Sequence, residues 1–338
     1  MKKILMFLSL AITLFATAKE PFMIADQGSF AIGGTVLTDS LGHKYHGDHG
    51  YVFYQIPSEQ KGLPIAMAHG VFQFSKTWET TPDGREGFQN IFLRKGYPTY
   101  LVDQPRRGNA GRSTEAATIA PVFDEEVWFS RCRIGVWPEY FEGVQWDKSE
   151  TTLNQWFRQF TPTLGSADFD VYSNAYATLF DSIGPGIFFT HSQGGPVGWR
   201  TLRKTDNIRA IVSYEPGGEI PFPEGQVPPE GKVLTLSKKT EGVEIPMNEF
   251  IKYTKIPILV YYGDNLPTTD ERPELYEWTR RLILMRKWAE IVNSLGGDVT
   301  VVHLPEIGIK GNTHFIMQDL NNAEIADHTA AWLKSKGL

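Results

Sequence analysis

Short runs of apolar and β-branched residues recur along the chain, and stretches of helical period separate most of them. The apolar runs predict strands at 30–37, 51–56, 64–68, 99–102, 187–190, 210–213, 258–262 and 299–304. Helical spacing of apolar residues predicts helices at 88–95, 171–180, 196–204, 275–295 and 323–336. Because strands and helices alternate, we expect an α/β fold with a mostly parallel central sheet, helices on both faces and an antiparallel pair of strands at its start.

One long segment interrupts this alternation. Between residues 103 and 171 the chain is rich in aromatic residues and includes Trp128, Trp137, Trp146 and Trp156, out of nine tryptophans in all. Loops longer than about 15 residues are uncommon unless they are functional or disordered, and disordered segments are poor in aromatics. We therefore predict a cap insertion at about 113–170 whose tryptophans line an apolar substrate pocket. The alternative, that these side chains belong to the core, stays open.

Composition limits the class of protein. The 338 residues are 41% hydrophobic, which suffices for one large domain carrying an insertion. The net charge of −6 and the lack of a basic run argue against a nucleic-acid partner. Cys132 is the only cysteine, so no internal disulfide can form.

The first residues are typical of an export signal. Lys2 and Lys3 precede an apolar run at 4–15, and Ala16-Thr17-Ala18 supplies the small residues of a cleavage site. The run ends before the roughly 20 apolar residues that a membrane-spanning helix needs, so we expect no stable membrane anchor. We predict a signal peptide at 1–18 and a mature domain at 19–338 in the periplasm or outside the cell.

The chemistry of the chain is suggested by Ser192. The predicted strand at 187–190 runs directly into His191-Ser192-Gln193, and two glycines and a predicted helix follow. A nucleophilic serine needs a sharp strand-to-helix turn that exposes its hydroxyl, usually with the pattern G-x-S-x-G. Gly194 fits this pattern, whereas Thr190 stands in place of the first glycine. We interpret Ser192 as the nucleophile of a hydrolase.

Two other parts of such a site can be placed from the sequence. An oxyanion hole needs two backbone N–H groups, which we assign to Gln193, after the serine, and to Val71, after the strand at 64–68. The base should be a histidine beyond the last strand. His314 lies there in a turn-rich loop, whereas His303 falls within a predicted strand and His328 within a predicted helix, so we assign His314.

The acid that orients the histidine has two candidates. Glu215 follows the strand after the nucleophile, and Asp264 follows the next strand along the chain. Both strands should end at the edge of the sheet that carries Ser192, so the residues alone leave either carboxylate open.

Histidines at 43, 46 and 49 raise the question of a metal site. A strand or turn holds this spacing poorly on one side, and no further ligand cluster is evident. We expect a solvated hairpin tip there, and neither a metal nor an organic cofactor.

Five segments, taken in order, resemble a known family: AHGVFQFSKTWETTPDGREGF, VDQPRRGNAGRS, THSQGG, VSYEPGGE and GNTHFIMQDLNN. Together they are similar to a group of secreted bacterial α/β-hydrolase-fold serine esterases. The resemblance implies a cofactor-free carboxylic ester hydrolase with Ser192 as nucleophile, His314 as base and the Val71 and Gln193 N–H groups as oxyanion donors. It also implies that the acid follows the sixth strand, which here selects Glu215.

Other functions remain compatible with these residues. The same triad serves amide, thioester and carbon–carbon bond hydrolases, and an inactive hydrolase fold can bind an apolar small molecule in its cap. The partner we expect is a small-molecule ester, and a homodimer is left open. The sequence names neither the acyl nor the alcohol part of that ester.

Overall fold

A computed structural model describes residues 20–235, 239–269 and 271–338. The predicted signal peptide at 1–18 lies outside the described residues. The strands are β1 (Ile24–Thr38), β2 (Lys44–Pro57), β3 (Ile65–Ala68), β4 (Thr99–Asp103), β5 (Gly135–Val136), β6 (Glu139–Tyr140), β7 (Gly186–His191), β8 (Ile208–Tyr214), β9 (Ile220–Pro223), β10 (Gly242–Ile245), β11 (Pro257–Tyr262) and β12 (Asp298–His303). The α-helices are α1 (Phe88–Arg94), α2 (Glu125–Arg131), α3 (Glu150–Phe157), α4 (Phe169–Ile183), α5 (Gly194–Leu202), α6 (Met247–Phe250), α7 (Pro273–Ser294) and α8 (Asn322–Ser335). Short 3-10 helices cover Ser75–Trp78, Gly108–Ala110, Pro229–Lys232, Ile251–Thr254 and Leu304–Ile307.

The central sheet has the strand order β1-β2-β4-β3-β7-β8-β11-β12. β1 pairs antiparallel with β2, and β2 antiparallel with β4, whereas every pair from β4 to β12 is parallel. The predicted arrangement, a mostly parallel sheet that starts with antiparallel strands, is therefore confirmed. The carboxyl ends of β3, β7, β8 and β11 meet at one edge of the sheet, and this edge carries the site.

The core lies on both faces of the sheet because its central strands are buried on both sides. In β7, Phe188 packs into the cluster on one face and Ile187 and Phe189 into the cluster on the other. This two-residue alternation with no exposed face is the pattern expected of a parallel sheet covered by helices.

The segment at 113–170, called the insertion below, follows β4 and runs into the first residues of α4. It contains α2, the β5–β6 hairpin and α3, none of which the apolar pattern predicts. After β8, the chain forms β9, which is buried and pairs in parallel with β10.

Among the described residues, no helix combines the length and apolar character needed to cross a bilayer. Within the same residues, no group of three His, Cys, Asp or Glu side chains is arranged to hold a metal ion.

Candidate active site

Ser192 occupies a strained turn between β7 and α5. Its φ angle is 53°, in the left-handed region that residues other than glycine rarely adopt. The turn is held by backbone hydrogen bonds from Ser192 N to Tyr214 O at 3.1 Å and from Gly217 N to Ser192 O at 2.7 Å. Strain of this kind persists only where the surrounding structure enforces it, and it is common at catalytic sites.

Two glycines make room for this turn. A Cβ atom on Gly70 would lie 2.7 Å from the Cβ of Ser192, and one on Gly194 would lie 2.8 Å from Ala68 O. Both distances are shorter than side-chain contacts allow. The loop after β3 can therefore approach the serine, and the start of α5 can approach the end of β3, only without side chains at these positions.

Thr190 replaces the first glycine of the usual pattern, and the structure shows how it is accommodated. Its methyl group faces Gly198 of α5, where an added Cβ would lie 2.9 Å away. Its hydroxyl lies 2.7 Å from Ser213 Oγ on the neighbouring strand β8. The space that a glycine at position 190 would provide is thus provided by Gly198 on the facing helix.

His314 lies in the loop between β12 and α8 and is buried. Its Nδ1 atom is 3.1 Å from Glu215 Oε2, and its backbone N–H donates to Cys132 O at 2.8 Å. Its ring packs on Trp278 of α7, with 4.1 Å between ring centroids. Burial lowers the pKa of His314 to about 4 despite the opposing pull of Glu215, so the imidazole is neutral at pH 7.

Ser192 and His314 line one small cavity. Among the described residues, Ser192 Oγ forms no hydrogen bond to the imidazole. Such contacts are often long without substrate and tighten when it binds.

Glu215 follows β8, the sixth strand of the central sheet in chain order, and has no solvent exposure. Its Oε1 atom accepts hydrogen bonds from Gly263 N at 2.5 Å and from Arg133 Nη2, while Oε2 faces His314. Burial raises the pKa of Glu215, but the Arg133 guanidinium and the His314 hydrogen bond outweigh it and hold that pKa at about 2. The carboxylate is ionised across the working range of most enzymes.

The carboxylate of Asp264, the other candidate acid, faces backbone N–H groups and not His314. Its carboxylate accepts hydrogen bonds from the backbone N–H groups of Asn265 at 2.7 Å and Gly311 at 2.8 Å. It therefore shapes the start of the loop that carries His314 and does not contact the ring.

Val71 and Gln193 both line the cleft at Ser192. Among the described residues, neither backbone N–H is hydrogen-bonded to the protein. The carbonyl of Gly70, which shares a peptide plane with the Val71 N–H, is 2.9 Å from His69 Nδ1 and accepts from Arg107 Nη1 at 2.8 Å. Because the C=O and N–H of a trans peptide point in opposite directions, these two donors direct the Val71 N–H away from themselves.

Arg107 forms hydrogen bonds both to the loop after β3 and to Gln193 after the serine. Besides the Gly70 carbonyl, it donates to Gln193 Oε1 at 2.7 Å and to Thr163 Oγ1 at 2.7 Å. Its side chain is buried, and burial lowers its pKa. The sequence places it in the recognised segment VDQPRRGNAGRS but does not reveal its contacts.

A cleft of about 290 Å³ opens beside Ser192. Its lining includes apolar residues, namely Val71, Trp128, Phe169, Pro196 and Trp278, and charged residues, namely Arg131, Glu219, Lys239, Glu241 and Arg281. Most of these charges have their own partners. Arg281 Nε donates to both Glu241 oxygens, at 3.0 and 3.1 Å, and Arg131 Nη2 donates to Glu277 at 2.7 Å.

The tryptophans of the insertion do not act as one group, which corrects the expectation that all four line the pocket. Trp128 lines the cleft and also the small cavity shared by Ser192 and His314. Trp146 and Trp156 are buried in the core, where Trp156 packs on Phe315 at 5.4 Å between ring centroids. Trp137 is 42% exposed and lies outside both cavities. Aromatic residues serve the core first, and only one of these reaches the site.

Four side chains at the site were not predicted from the sequence: Arg107, Arg133, Trp278 and Arg281. All four act through long-range contacts, for which a single sequence carries no periodic signal.

The geometry defines an α/β-hydrolase fold with a serine, a histidine and a carboxylate at the carboxyl edge of its sheet. No family model matches the chain. A probable secreted lipase, phiG, of a fungal species is 28% identical over 88% of each chain. The structure of a bacterial esterase, described as novel and solved at atomic resolution, superposes with a TM-score of 0.75 and 29% identity, covering 94% of this chain and 98% of that one. These similarities support the predicted class, a carboxylic ester hydrolase. They do not support a homodimer.

Proposed function

We propose that this protein hydrolyses carboxylic esters through an acyl-enzyme on Ser192. One observation carries the proposal: a buried, ionised carboxylate, Glu215, faces His314 Nδ1 at 3.1 Å beside a serine held in a strained turn. This is the relation that nucleophilic catalysis by serine requires. The similarity to a lipase and an esterase agrees with it.

The proposed steps follow from the roles of the side chains. His314 takes the Ser192 proton as Oγ attacks the ester carbonyl, and the Val71 and Gln193 N–H groups stabilise the oxyanion. His314 then gives that proton to the departing alcohol, which leaves the acyl group on Ser192. Water attacks the acyl-enzyme in the same way and releases the acid and free serine. Glu215 holds the imidazole in the Nδ1–H tautomer throughout.

The nucleophile can be tested directly. Ser192→Ala should lower ester turnover by several orders of magnitude and abolish labelling by a fluorophosphonate, because only an activated serine reacts with that probe. Nitrophenyl ester hydrolysis and labelling measure the two effects, and circular dichroism checks the fold. Activity within tenfold of wild type would remove Ser192 from this role.

The acid is tested by comparing two carboxylates. Glu215→Gln should lower turnover by roughly 10³ to 10⁴, because the amide no longer fixes the productive tautomer of His314. Asp264→Asn should cost far less, because that side chain bonds only backbone N–H groups. Each variant is the other's control; a larger loss in folded Asp264→Asn would transfer the role to Asp264.

The two cavities beside Ser192 differ in size. The one that contains His314 measures about 10 Å³, enough for about one water-sized group, whereas the cleft that contains Gln193 measures about 290 Å³, and Val71 lines both. The departing oxygen must reach His314 to take its proton. We therefore assign the alcohol to the small cavity and the acyl group to the cleft, whose charges are mostly paired and so suit an uncharged acid. The substrate class is then an ester of a bulky, uncharged acid with a small alcohol.

Trp128 borders both cavities and offers a test of this assignment. Trp128→Ala should enlarge the small cavity and narrow the preference for methyl over benzyl esters of one acid by about tenfold or more. Trp137→Ala is the matched control, because that side chain touches neither cavity. The ratio of kcat/KM values measures the effect. An unchanged ratio in folded Trp128→Ala would contradict the assignment.

We also propose that the chain is exported, in agreement with the secreted relative. The positive residues, the apolar run at 4–15 and the small residues before Lys19 support a cleaved signal. In a bacterial host, N-terminal sequencing of the exported protein should therefore begin at Lys19. A product that keeps Lys2 and Lys3 would contradict the proposal, and replacing the small residues 16 and 18 with bulky ones provides the uncleaved control.

A further inference from the structure

Arg133 is a fully buried arginine that the insertion places on Glu215. It follows α2, in a left-handed turn with a φ of 59°, and its side chain has no solvent exposure. Nη2 donates to Glu215 Oε1, and Nε donates to Asp264 O at 2.8 Å. Among the described residues, Nη1 has no hydrogen-bond partner. Burial of a guanidinium with an unpaired donor lowers the free energy of unfolding. Stability alone therefore does not account for the position of Arg133.

The contacts of Arg133 fix the direction of the carboxylate. Glu215 Oε1 accepts from both Arg133 and Gly263, which leaves Oε2 for His314. Without the guanidinium, the Gly263 N–H would be the remaining donor to Oε1, and His314 the remaining partner of Oε2.

The same short segment holds His314 in two further ways. Cys132 O, one residue before Arg133, accepts the backbone N–H of His314 at 2.8 Å. The guanidinium also lies 5.3 Å from the ring centroid of Trp278, whose ring packs on His314. The residues at 132–133 thus contact both the proposed base and the proposed acid.

We propose that Arg133 is a positioning residue of the hydrolase, which fixes Glu215 toward His314 and balances its charge so that the imidazole stays a neutral base. This inference rests on the proposed function and adds to it a role for the insertion in the triad. Arg133 does not reach the reacting atoms and acts through Glu215.

The charges around His314 determine in which direction its pKa moves when Arg133 is replaced. Glu215 faces its ring from the loop after β8, Arg133 from the insertion, Arg281 from α7 and His191 from β7. Arg281 is already paired with Glu241, and burial keeps the pKa of His191 well below its usual value. Arg133 lowers the pKa of Glu215 and also that of His314.

Removal of the Arg133 charge should therefore raise both pKa values. Each group would hold its proton to a higher pH, and either proton stops catalysis. Activity would then be lost at a higher pH on the acid side of the profile, and the alkaline side would not move with it.

The test compares Arg133→Gln with Arg133→Lys by kcat/KM against pH. In Arg133→Gln, the acid limb, which is the rise of kcat/KM at low pH, should move to higher pH by about one unit or more. At pH 7, kcat should fall about tenfold or more, with KM little changed. Arg133→Lys keeps the charge, so its acid limb should stay near that of wild type. Its kcat should still fall, because lysine cannot bond Glu215 and Asp264 O together.

Arg106→Gln is the matched control. Arg106 is another buried arginine paired with a carboxylate, that of Asp48 at 2.8 Å, and it contacts no member of the triad. Its loss should lower stability without moving the acid limb, which separates a general effect of losing a buried ion pair from the one proposed.

A second measurement does not depend on ester hydrolysis. The titration of the His314 imidazole, followed by NMR and assigned with His314→Gln, should move to higher pH in Arg133→Gln. If wild type neither hydrolyses esters nor reacts with a fluorophosphonate, the proposed function fails while this titration still tests Arg133. A folded Arg133→Gln with an unmoved acid limb and titration would overturn the inference. If that variant does not fold, an unchanged kcat in Arg133→Lys would overturn it instead.

Discussion

The burial of Glu215 is the constraint on which the site depends. A carboxylate removed from water loses several kcal/mol of hydration, and the protein must replace that hydration with fixed donors or the group takes up a proton. Here the donors are Gly263 N–H, the Arg133 guanidinium and His314. Each comes from a different part of the chain: the end of β11, the insertion and the loop before α8. The fold around the sheet edge therefore has to close before the carboxylate can remain charged.

A second constraint acts at Ser192, where the chain must turn sharply within a packed sheet. Space for that turn comes from Gly70 and Gly194, and Thr190 is tolerated because Gly198 lies opposite it. The two constraints meet in one backbone hydrogen bond, from Gly217 N to Ser192 O, since Gly217 lies two residues after Glu215. The loop that carries the proposed acid thus also holds the turn of the proposed nucleophile.

The sequence predicts those features that depend on local pattern. Buried strands and amphipathic helices have strong periods, so the sheet, its antiparallel start and the helices on its faces could be predicted. The strand-to-helix turn at Ser192 and the loop position of His314 follow from the same pattern. The choice between Glu215 and Asp264 does not, because both end neighbouring strands at the same edge. The two carboxylates differ in the direction of their side chains, which is set by partners far along the chain.

The insertion shows why local pattern has this limit. Its tryptophans have no common period, and packing sends Trp128 to the cleft, Trp156 beneath Phe315 and Trp137 toward solvent. Two of its arginines contact helix α7, which lies more than a hundred residues later in the chain. Arg131 pairs with Glu277, and Arg133 lies against Trp278.

Helix α7 presents Glu277 and Arg281 one turn apart, so both can join this buried set of charges from one face. Trp278 contacts both the guanidinium of Arg281, 4.4 Å from its ring centroid, and the ring of His314. The insertion and α7 thus form a single charged and aromatic wall around the histidine. A change in how the insertion sits on the sheet would therefore alter the electrostatic surroundings of the site as well as the shape of its cleft, because the same residues determine both.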